Sequence, residues 1–534
     1  MNELSLVWAR AGTDFVVKHI MIEAPPTATD VNPSLTWMDY QPLEYEALLA
    51  TKVEGVRRQF AAHLARDAAE LEVYASQPQH FRNRARFAIA RFDGVLCFAL
   101  FDKGAPTVAV RQFPIATKAI NDLMPRLIDA INESATLAKA LSAVHFLSPQ
   151  SGDMLVTLIY AEAVPLDERW CDAAHALKAA LGVPALLGRT KGQTVCLERE
   201  HVEEVYALKD GRRLKYRQME GSFSNPSAAM CEHTLGFLCE AATEAAAAYA
   251  AAHAGRAPTL LELYCGNGNH TVALGRHFSR VLAVEIDRRL VDAAGYNLAA
   301  NGVTNANVLC ASSGKFCKRL YYHLRKVKQS LQTTKRDVPE AAVTSPAAEE
   351  VAVADSAPPA VPLAILTAMA TKYDEAMLPA AAEALAQVAD AAPPPSATAA
   401  TDIRSPAAAW SAPAILGSVP VENLELNLEL QWLREAEQRT DVVLVDPPRC
   451  GLDADTLLLV GLFDHILYIS CHPSSLLAAL DGVLGTTHEV RRWAVFDHFA
   501  YTDHLEMGVL LSRRGCATRP GDVGVASRRV GESQ

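Results

Sequence analysis

The sequence predicts an α/β fold, with a mostly parallel, Rossmann-like sheet in one domain, a separate α/β domain before it, and a low-complexity insertion. Two observations support this fold class. After residue 258, short apolar runs alternate with helix-length segments, which is typical of buried parallel strands in βαβ units. Between residues 80 and 220, β-like runs alternate with helical stretches. At 534 residues, the chain is long enough for two or three domains.

The N-terminal half contains an extension followed by a domain. Residues 1–40 show no clear periodicity and are interpreted as an extension. From Tyr45 onwards, apolar side chains recur at helical spacing, at Leu48, Leu49, Val53, Val56 and Phe60. The β-like runs that follow are Arg86–Ile89, Val95–Phe101 and Met154–Tyr160. Residues 41–220 are therefore predicted to form an N-terminal α/β domain.

The C-terminal domain is predicted from a long Ala-rich helix after Pro226 and from the apolar runs beyond it. The predicted strands are Thr259–Leu263, Val281–Val284, Val442–Val445 and Ile466–Ile469. A later run, Val509–Ser512, is expected to close the sheet at its edge. These elements define a domain made of residues 221–328 and 422–514.

Two segments have compositions that do not favour a packed core. Residues 329–421 are rich in Ala, Pro, Ser and Glu, so we expect a disordered insertion with one helix near Asp374–Ala391. Residues 515–534 are expected to form a disordered tail.

Composition narrows the possible functions. No run of about 18 apolar residues appears, which argues against a membrane span, and charges interrupt the apolar residues at the N-terminus, unlike a secretory signal. The 11 cysteines form no CxxC pair, so we expect no metal site and reduced thiols. These features favour an intracellular, cytoplasmic protein and leave a mitochondrial or nuclear location open. We expect a monomer.

Charge alone does not decide whether the protein binds RNA. The net charge is −11, but phosphate contacts need only a local positive surface. The basic clusters are Arg82, Arg84, Arg86 and Arg91; Lys209, Arg212, Arg213, Lys215 and Arg217; and Lys318, Arg319, Arg325, Lys326 and Lys328. Such clusters are more often solvated faces than RNA sites, so they permit RNA binding without establishing it.

A glycine-containing junction in the segment LELYCGNGN predicts a nucleotide site. Gly266 and Gly268 stand between a strand and a helix, where glycine lets the backbone approach a ligand closely. Glu285 ends the next strand, and an acidic residue there can accept hydrogen bonds from both ribose hydroxyls. The third glycine of a dinucleotide-binding GxGxxG is missing, with Val272 and Ala273 nearby. The pattern therefore favours S-adenosylmethionine over a dinucleotide, and a tight turn that binds nothing is the remaining alternative.

Three further residues are predicted to face the same cleft, because ligands of open α/β sheets bind at the carboxyl ends of the strands. Asp446 begins a DPPR loop directly after Val442–Val445, and two prolines stiffen that loop. Cys471 follows the strand Ile466–Ser470, and Glu506 precedes the last strand as a candidate base. The alternatives are a buried turn for the DPPR loop, a small buried hydrophobe for Cys471 and a surface acid for Glu506.

Together, these motifs resemble the tRNA (uracil-5-)-methyltransferases. The C-terminal half matches through LLELYCGNGN, VDPPRCGL, LYISCHP and FDHFAYTDHLEMGVLL, and the N-terminal half through FRNRARF, LMPRLIDAI, LLGRTKG and KYRQMEGSFSNPSAAM. The resemblance runs from about Tyr45 to Ser512 and is interrupted only by the insertion. It implies an S-adenosylmethionine-dependent enzyme that methylates C5 of a uridine in the T-arm of tRNA, with an RNA-binding N-terminal domain.

The resemblance also implies roles for individual residues. Uracil C5 is too weak a nucleophile to attack a sulfonium methyl unaided, whereas a thiolate that adds to C6 turns C5 into an enolate carbon. By resemblance, Cys471 is this nucleophile, Glu506 removes the C5 proton, and Asp446 contacts the substrate base or the cofactor. The implied cofactor contacts are Tyr264, Gly266, Asn269, Glu285, Asn225 and Asp446. The target uridine must be extruded from its stack to enter the cleft.

Several positions depart from the family pattern. Asn225 stands in place of a glutamine, and His472 replaces the asparagine that usually follows the nucleophile. Ser142 occupies the position of a base-stacking aromatic residue. Ala88 replaces an arginine, and Gly314-Lys315 replaces an acidic pair.

Two alternative functions stay open on the sequence alone. RNA cytosine-5 methyltransferases use one cysteine in the proline-containing loop and one on the following strand, and Cys450 and Cys471 superficially fit that pattern. Arg449 before Cys450 and the motif around Glu506 favour uracil. The departures at Asn225, Ser142 and Ala88 motivate the other alternative, an RNA-binding folding factor with vestigial catalysis.

Overall fold

The structure, a computed structural model, describes residues 38, 40–64, 70–101, 107–161, 164–322 and 441–515. The predicted insertion at 329–421, including the helix expected near 374–391, lies outside the described residues, as do nearly all of the extension and the tail. The described chain forms two large mixed sheets with flanking helices. This arrangement confirms the α/β fold class.

The first sheet has the strand order β4-β3-β2-β5-β6-β7-β8. Its strands are β2 (Arg84–Phe92), β3 (Val95–Leu100), β4 (Val108–Val110), β5 (Leu141–Leu147), β6 (Leu155–Tyr160), β7 (Ala185–Thr190) and β8 (Gln193–Leu197). Neighbouring strands are antiparallel, except that β6 and β7 are parallel. The three β-like runs predicted in this region are confirmed as β2, β3 and β6.

Alternation along β2 explains how this sheet is covered. Ala85, Phe87 and Ile89 are buried, while Arg84 and Arg86 point to the other face. Because strand side chains alternate between faces, one face of the sheet is apolar and packs under helices. These helices are α2 (Lys118–Glu133), α3 (Ala135–Ala138) and α4 (Glu168–Leu181).

A hairpin connects the two sheets. Its strands, β9 (His201–Ala207) and β10 (Arg213–Met219), pair only with each other among the described strands. The Tyr206 and Tyr216 side chains are buried in a cluster that includes Cys231, Val272 and Leu298. The hairpin therefore packs on the helices of the second domain.

The second sheet has the strand order β1-β16-β17-β15-β14-β11-β12-β13. Its strands are β1 (Glu72–Tyr74), β11 (Thr259–Leu263), β12 (Arg280–Glu285), β13 (Ala306–Cys310), β14 (Val442–Val445), β15 (His465–Ser470), β16 (His488–Phe496) and β17 (Glu506–Arg513). Strands β11 to β15 are parallel, which confirms the predicted βαβ pattern.

The helices of this domain connect the parallel strands. They are α5 (Ala228–Ala252), α6 (Asn269–Leu274), α7 (Arg288–Ala300), α8 (Ala454–Val460), α9 (Pro473–Asp481) and α10 (Val483–Thr487). A further helical stretch begins at 313 and continues to 322, where this described range ends. Two single 3-10 turns occur at Ala61–His63 and Gly275–His277.

The prediction that Val509–Ser512 closes the sheet at its edge is wrong. This run belongs to β17, which lies inside the sheet and pairs antiparallel with both β15 and β16. The edge is formed by β1, which pairs in parallel with β16. The sequence could not predict that β1 pairs with a strand near residue 494. The periodicity of apolar residues indicates only which residues are locally buried.

The segment before the first sheet also packs on the second domain. Helix α1 (Tyr45–Phe60) buries Leu49, Val53 and Val56 on one face, as the helical spacing predicted. This helix contacts α9, and β1 then enters the second sheet. Helix α1 and strand β1, which the sequence grouped with the N-terminal domain, thus pack on the C-terminal domain, and β1 joins its sheet.

Gly188 provides a test of packing in the first sheet. A Cβ at Gly188 would lie 2.4 Å from two ring atoms of Trp170, a fully buried side chain of α4. We expect Gly188→Ala to lower the free energy of unfolding by about 2–3 kcal/mol, because the ring has no room to move in a packed core.

Gly55→Ala in α1 is the matched control: nothing lies within 4 Å of its Cβ position, so about 1 kcal/mol of stabilisation is expected from helix propensity. Urea unfolding followed by circular dichroism measures both changes, and equal stability of the two variants would contradict this account.

Candidate active site

Strand register brings the predicted catalytic residues to one edge of the second sheet. The parallel strands β14 and β15 end just before Asp446 and Cys471. The antiparallel strand β17 begins at this same edge, because Ser470 is opposite Met507. Continuing that register by one residue sets Glu506 beside Cys471. On the other side of β17, Phe496 is opposite Glu506, so the end of β16 reaches the same edge.

The predicted nucleotide turn lies where the strand order of this sheet reverses, between β11 and β14. Such a reversal opens a crevice at the carboxyl ends of the strands. The chain leaves β11 through Tyr264 (φ 63°), Gly266 (φ 56°) and Gly268 (φ 75°). A Cβ at Gly268 would also lie 3.2 Å from the Cβ of Ala294 in α7, so glycine is needed here for conformation and for space.

Glu285 supports this turn at the end of β12. Its carboxylate accepts hydrogen bonds from the backbone N–H of Gly266 at 3.0 Å and from those of Ile286 and Asp287, both at 2.8 Å. A carboxylate offers about four acceptor positions, so at least one stays available. Ile286 follows with 68% of its surface exposed, an unusual exposure for a large aliphatic side chain beside a polar turn.

Asn225 and Asn269 meet through a buried thiol. The Asn225 amide donates to Cys231 Sγ at 3.0 Å, and the Asn269 amide donates to the same sulfur at 3.4 Å. Burial raises the pKa of Cys231 to about 12, so this sulfur is a neutral thiol. The Asn225 side chain, which is shorter than the glutamine of the family pattern, is therefore hydrogen-bonded within the protein. Tyr216 Oη fixes the Asn269 backbone by donating a hydrogen bond to its carbonyl at 2.9 Å.

The three predicted catalytic groups interact electrostatically. Burial, and then the charge of Asp446, raise the pKa of Glu506 well above its ordinary value. Loss of solvent likewise raises the pKa of Asp446. Burial raises the pKa of Cys471 to about 11, with further contributions from Glu506 and Asp446, while the positive charge of Arg449 opposes the rise. The groups are thus close together, and in the free protein Cys471 is a thiol rather than a thiolate near neutral pH.

Residues that sequence reasoning missed hold the loop before Glu506. Asp497, which is fully buried, accepts hydrogen bonds from Tyr45 Oη at 2.8 Å and Lys52 Nζ at 2.7 Å. Lys52 Nζ also donates to the carbonyls of Phe499 and His504. Asp497 belongs to the FDHFAYTDHLE motif, but its partner Lys52 can be identified only from the packing of α1 in the structure.

His498 was also missed. It follows Asp497, is fully buried, and has its Nε2 atom 3.5 Å from Glu506 Oε2. Neither ring nitrogen has a hydrogen-bond partner among the described residues. In the sequence, the one feature that could have indicated a role for His498 is that it belongs to the same motif as Glu506.

The remaining departures from the family pattern have local explanations in two cases. A Cβ at Gly314 would lie 2.8 Å from Asp453 Oδ2, so an acidic residue there would meet both a steric and a charge conflict. Ser142 Oγ donates to the Ile159 carbonyl at 2.9 Å inside the first sheet.

Nothing in the structure explains Ala88, which lies between Ala99 and Ala143 on neighbouring strands. His472 directly precedes α9. Its backbone carbonyl accepts hydrogen bonds from the hydroxyl groups of Ser470 and Ser475.

The basic clusters are partly committed to internal contacts. Arg84 donates to the Ser222 carbonyl at 2.6 Å, Arg212 pairs with Asp210 at 2.7 Å, and Arg217 pairs with Glu203 at 3.2 Å. In the third cluster, residues 325, 326 and 328 lie outside the described part. Within the described ranges, no group of three or more potential metal ligands occurs and no helix is long and apolar enough to cross a membrane.

Known proteins with similar sequences cover nearly the whole chain. Residues 44–332 and 428–514 match a family model described as tRNA (Uracil-5-)-methyltransferase. The tRNA/tmRNA (uracil-C(5))-methyltransferase of Dechloromonas aromatica is 34% identical over 477 residues, which are 89% of this chain and 99% of that protein. The protein of the same description from Ectopseudomonas mendocina is 35% identical over 478 residues, with the same coverage of both chains.

Among solved structures, similarity extends to the Pyrococcus abyssi tRNA (uracil-54, C5)-methyltransferase in complex with S-adenosyl-L-homocysteine. The TM-score is 0.49 and the identity is 14%, and the match covers 88% of this chain and 83% of that chain.

The ion pair between Lys52 and Asp497 should contribute strongly to stability. Lys52→Met leaves a fully buried carboxylate with Tyr45 as its remaining side-chain donor, so we expect a loss of about 3 kcal/mol in the free energy of unfolding. The matched control is Arg58→Ala, which breaks an exposed pair with Glu54 on the same helix and should cost less than about 0.5 kcal/mol. Adding Asp497→Asn to Lys52→Met should restore part of the loss. Urea denaturation measures all three variants, and equal effects of the two single substitutions would contradict the assignment.

Electrostatic coupling between Glu506 and Cys471 can be measured by alkylation. A carboxylate at position 506 raises the pKa of Cys471, so Glu506→Gln should lower that pKa and increase the thiolate fraction at pH 9. Reaction of Cys471 with iodoacetamide, followed by peptide mass spectrometry, should become several-fold faster. Asp503→Asn, which removes an exposed acid from the same loop, should leave the rate unchanged. A slower reaction in Glu506→Gln would show that the two groups do not interact as described.

Proposed function

The chain belongs to the tRNA (uracil-5-)-methyltransferase family, and on this basis we propose that it transfers a methyl group from S-adenosylmethionine to C5 of a T-arm uridine in tRNA. We further propose that the reaction passes through a covalent bond between Cys471 and C6 of the uracil. Family membership confirms the resemblance seen in the motifs.

The observation that carries the mechanism is the register of β15 and β17. This register brings a thiol and a carboxyl group to adjacent strands at one sheet edge, in the crevice that also contains the glycine turn. A nucleophile and a base that act on C6 and C5 of one ring must be neighbours. The electrostatic coupling of Cys471, Glu506 and Asp446 supports their proximity.

The residues around the glycine turn fit S-adenosylmethionine. Gly266 leaves the space at its Cβ position open, Glu285 has an acceptor position available for ribose hydroxyls, and exposed Ile286 offers an apolar surface for a purine. Tyr264, Asn269, Asn225 and Asp446 complete the set that we expect to line this site. When bound, this cofactor supplies an electrophilic methyl group.

Formation of the thiolate is the demanding part of the first step, because burial and two carboxyl groups raise the pKa of Cys471 to about 11. Arg449 lowers that pKa, so its positive charge helps to generate the nucleophile. The thiolate then forms a bond to C6, and the π electrons of the C5–C6 bond move to give an enolate whose C5 is nucleophilic enough to accept a methyl group. The bound cofactor would supply that methyl, and its sulfur–methyl bond would break with the electrons staying on sulfur, so that S-adenosylhomocysteine leaves. Asp446, beside both groups, is proposed to orient the uracil edge.

Glu506 acts in the second step. Once methylated, C5 still carries its proton, and the carboxylate of Glu506 removes it. The electron pair of the broken C5–H bond re-forms the C5–C6 double bond, and the C6–S bond breaks with its electrons returning to sulfur. The product leaves with Cys471 regenerated.

A uridine in a folded T-arm can reach this crevice only if it is unstacked and turned outward. The first domain is proposed to hold the RNA backbone during that step. Arg86 and Arg189 lie near Glu220 on the face of the first sheet opposite its helices, and they are candidates for phosphate contacts.

A 5-fluorouridine-containing tRNA transcript tests the covalent mechanism. Fluorine at C5 blocks proton removal, so the enzyme should remain bound in a complex that survives SDS electrophoresis and carries a labelled methyl group. Cys471→Ala should abolish this complex and reduce methylation by at least a thousandfold. Cys450→Ala, which alters an exposed thiol in the neighbouring loop, should retain both. Normal methylation by Cys471→Ala would refute the nucleophile assignment.

The same assay separates the alternatives. Labelled methyl on cytidine with dependence on Cys450 would indicate a cytosine-5 enzyme, and tRNA binding without any transfer would indicate a folding factor. An isolated T-arm stem–loop tests the target: methylation of this fragment, and its loss when the loop uridine is replaced by cytidine, would support T-arm specificity.

A further inference from the structure

His498 is a buried polar side chain without a hydrogen-bond partner among the described residues. It is fully buried after β16, its Nε2 atom lies 3.5 Å from Glu506 Oε2, and neither ring nitrogen is hydrogen-bonded within the described chain. Buried polar atoms in folded proteins are rarely left in this state. The closest polar group is the carboxyl that is proposed to act as the base.

The imidazole is neutral in this environment. Burial, and then the positive charges of Arg82 and His233, lower the pKa of His498 to about 3. A neutral imidazole carries its proton on one nitrogen, and the bond made by the other usually fixes which one. Because Nδ1 has no partner in the described chain, nothing opposes the tautomer with a proton on Nε2, which faces Glu506.

Glu506 needs such a donor. Burial and the charge of Asp446 both favour its protonated form, and a protonated carboxyl cannot remove a proton from carbon. A hydrogen bond donated to the carboxylate favours the ionised form. Of the groups facing His498 and Glu506, Arg82 and His233 interact with the imidazole and Asp446 and Cys471 with the carboxyl.

We propose that His498 is a positioning residue for the base: its Nε2–H donates to Glu506, keeps the carboxylate ionised and directs its free oxygen towards C5 of the methylated uracil. This inference rests on the proposed function. The 3.5 Å separation is longer than a hydrogen bond, and catalytic hydrogen bonds often shorten only when the substrate is bound. No charge is transferred to the imidazole; in the elimination step the proton moves from C5 to Glu506 and the electron pair of the C6–S bond returns to Cys471.

Two substitutions of similar length isolate the donor. His498→Met removes the N–H group, whereas His498→Gln retains an amide N–H at about the same reach. On ordinary tRNA transcripts, His498→Met should slow turnover about tenfold or more, and a covalent enzyme–RNA complex that already carries the labelled methyl should accumulate. His498→Gln should turn over within about threefold of the wild type. The pH profile of turnover should shift to higher pH in His498→Met, because Glu506 ionises less readily without the donor.

An internal control addresses folding. With 5-fluorouridine tRNA, complex formation does not require the base, so the wild type, His498→Met and His498→Gln should all form it, and neither variant more slowly than the wild type. His498→Leu provides a second donor-free variant of different shape and should behave like His498→Met. The inference is overturned if His498→Met and His498→Leu turn over at the wild-type rate, or if His498→Gln is as slow as His498→Met without any accumulated complex. If the wild type forms no complex with fluorouridine tRNA, the proposed function itself fails.

Discussion

The antiparallel insertion of β17 between β15 and β16 is the constraint on which the rest of the site depends. A purely parallel sheet presents only the carboxyl ends of its strands at the cofactor edge, so each strand can contribute only residues that follow it. Strand β17 runs the other way and contributes the residue that begins it, Glu506. The same pairing sets the end of β16, and with it Asp497 and His498, beside that carboxyl. One reversed strand thus supplies Glu506, the proposed base, and brings Asp497 and His498 close to it.

Burying two carboxyl groups beside a thiol has a cost in stability. The pKa values of Asp446 and Glu506 are raised in the folded protein, so the unfolded chain releases these protons at lower pH than the folded chain does. Stability therefore falls as pH rises from the ordinary carboxyl range through the raised folded values. Two other carboxylates near the site have donors of their own: Lys52 pairs with Asp497, and three backbone N–H groups donate to Glu285. Sites that need buried acids often reduce the stability of the fold around them.

Much of this arrangement could be predicted from local sequence, and the limits have physical causes. The runs Thr259–Leu263 and Val442–Val445 are buried on both faces, so apolar continuity identified them with correct bounds. The motifs also predicted that the cofactor turn and the catalytic groups share one edge, because parallel strands end together. The position of β17 and the edge role of β1 could not be predicted, because the periodicity of apolar residues shows that a strand is buried but not which strand it pairs with; β1 pairs with residues more than 400 positions away. Lys52 and His498 were missed for a related reason. A lysine on a helix and a histidine in a loop can be recognised as important only when the structure shows the buried acids near them, which are Asp497 and Glu506.

The route of the chain suggests how the two domains keep their relative orientation. Helix α1 and strand β1 pack in the second domain before the chain enters the first sheet, and the β9–β10 hairpin returns it to the second domain. The first sheet is therefore connected at both of its ends to the second domain. Arg84 adds a direct link through the Ser222 carbonyl, next to the segment that contains Asn225. A domain held at two ends loses much of the freedom that a single linker would allow. An RNA loop bound to the first sheet would then meet the crevice at a fixed distance, and extrusion of the base, rather than closure of the domains, would bring the uracil to Cys471.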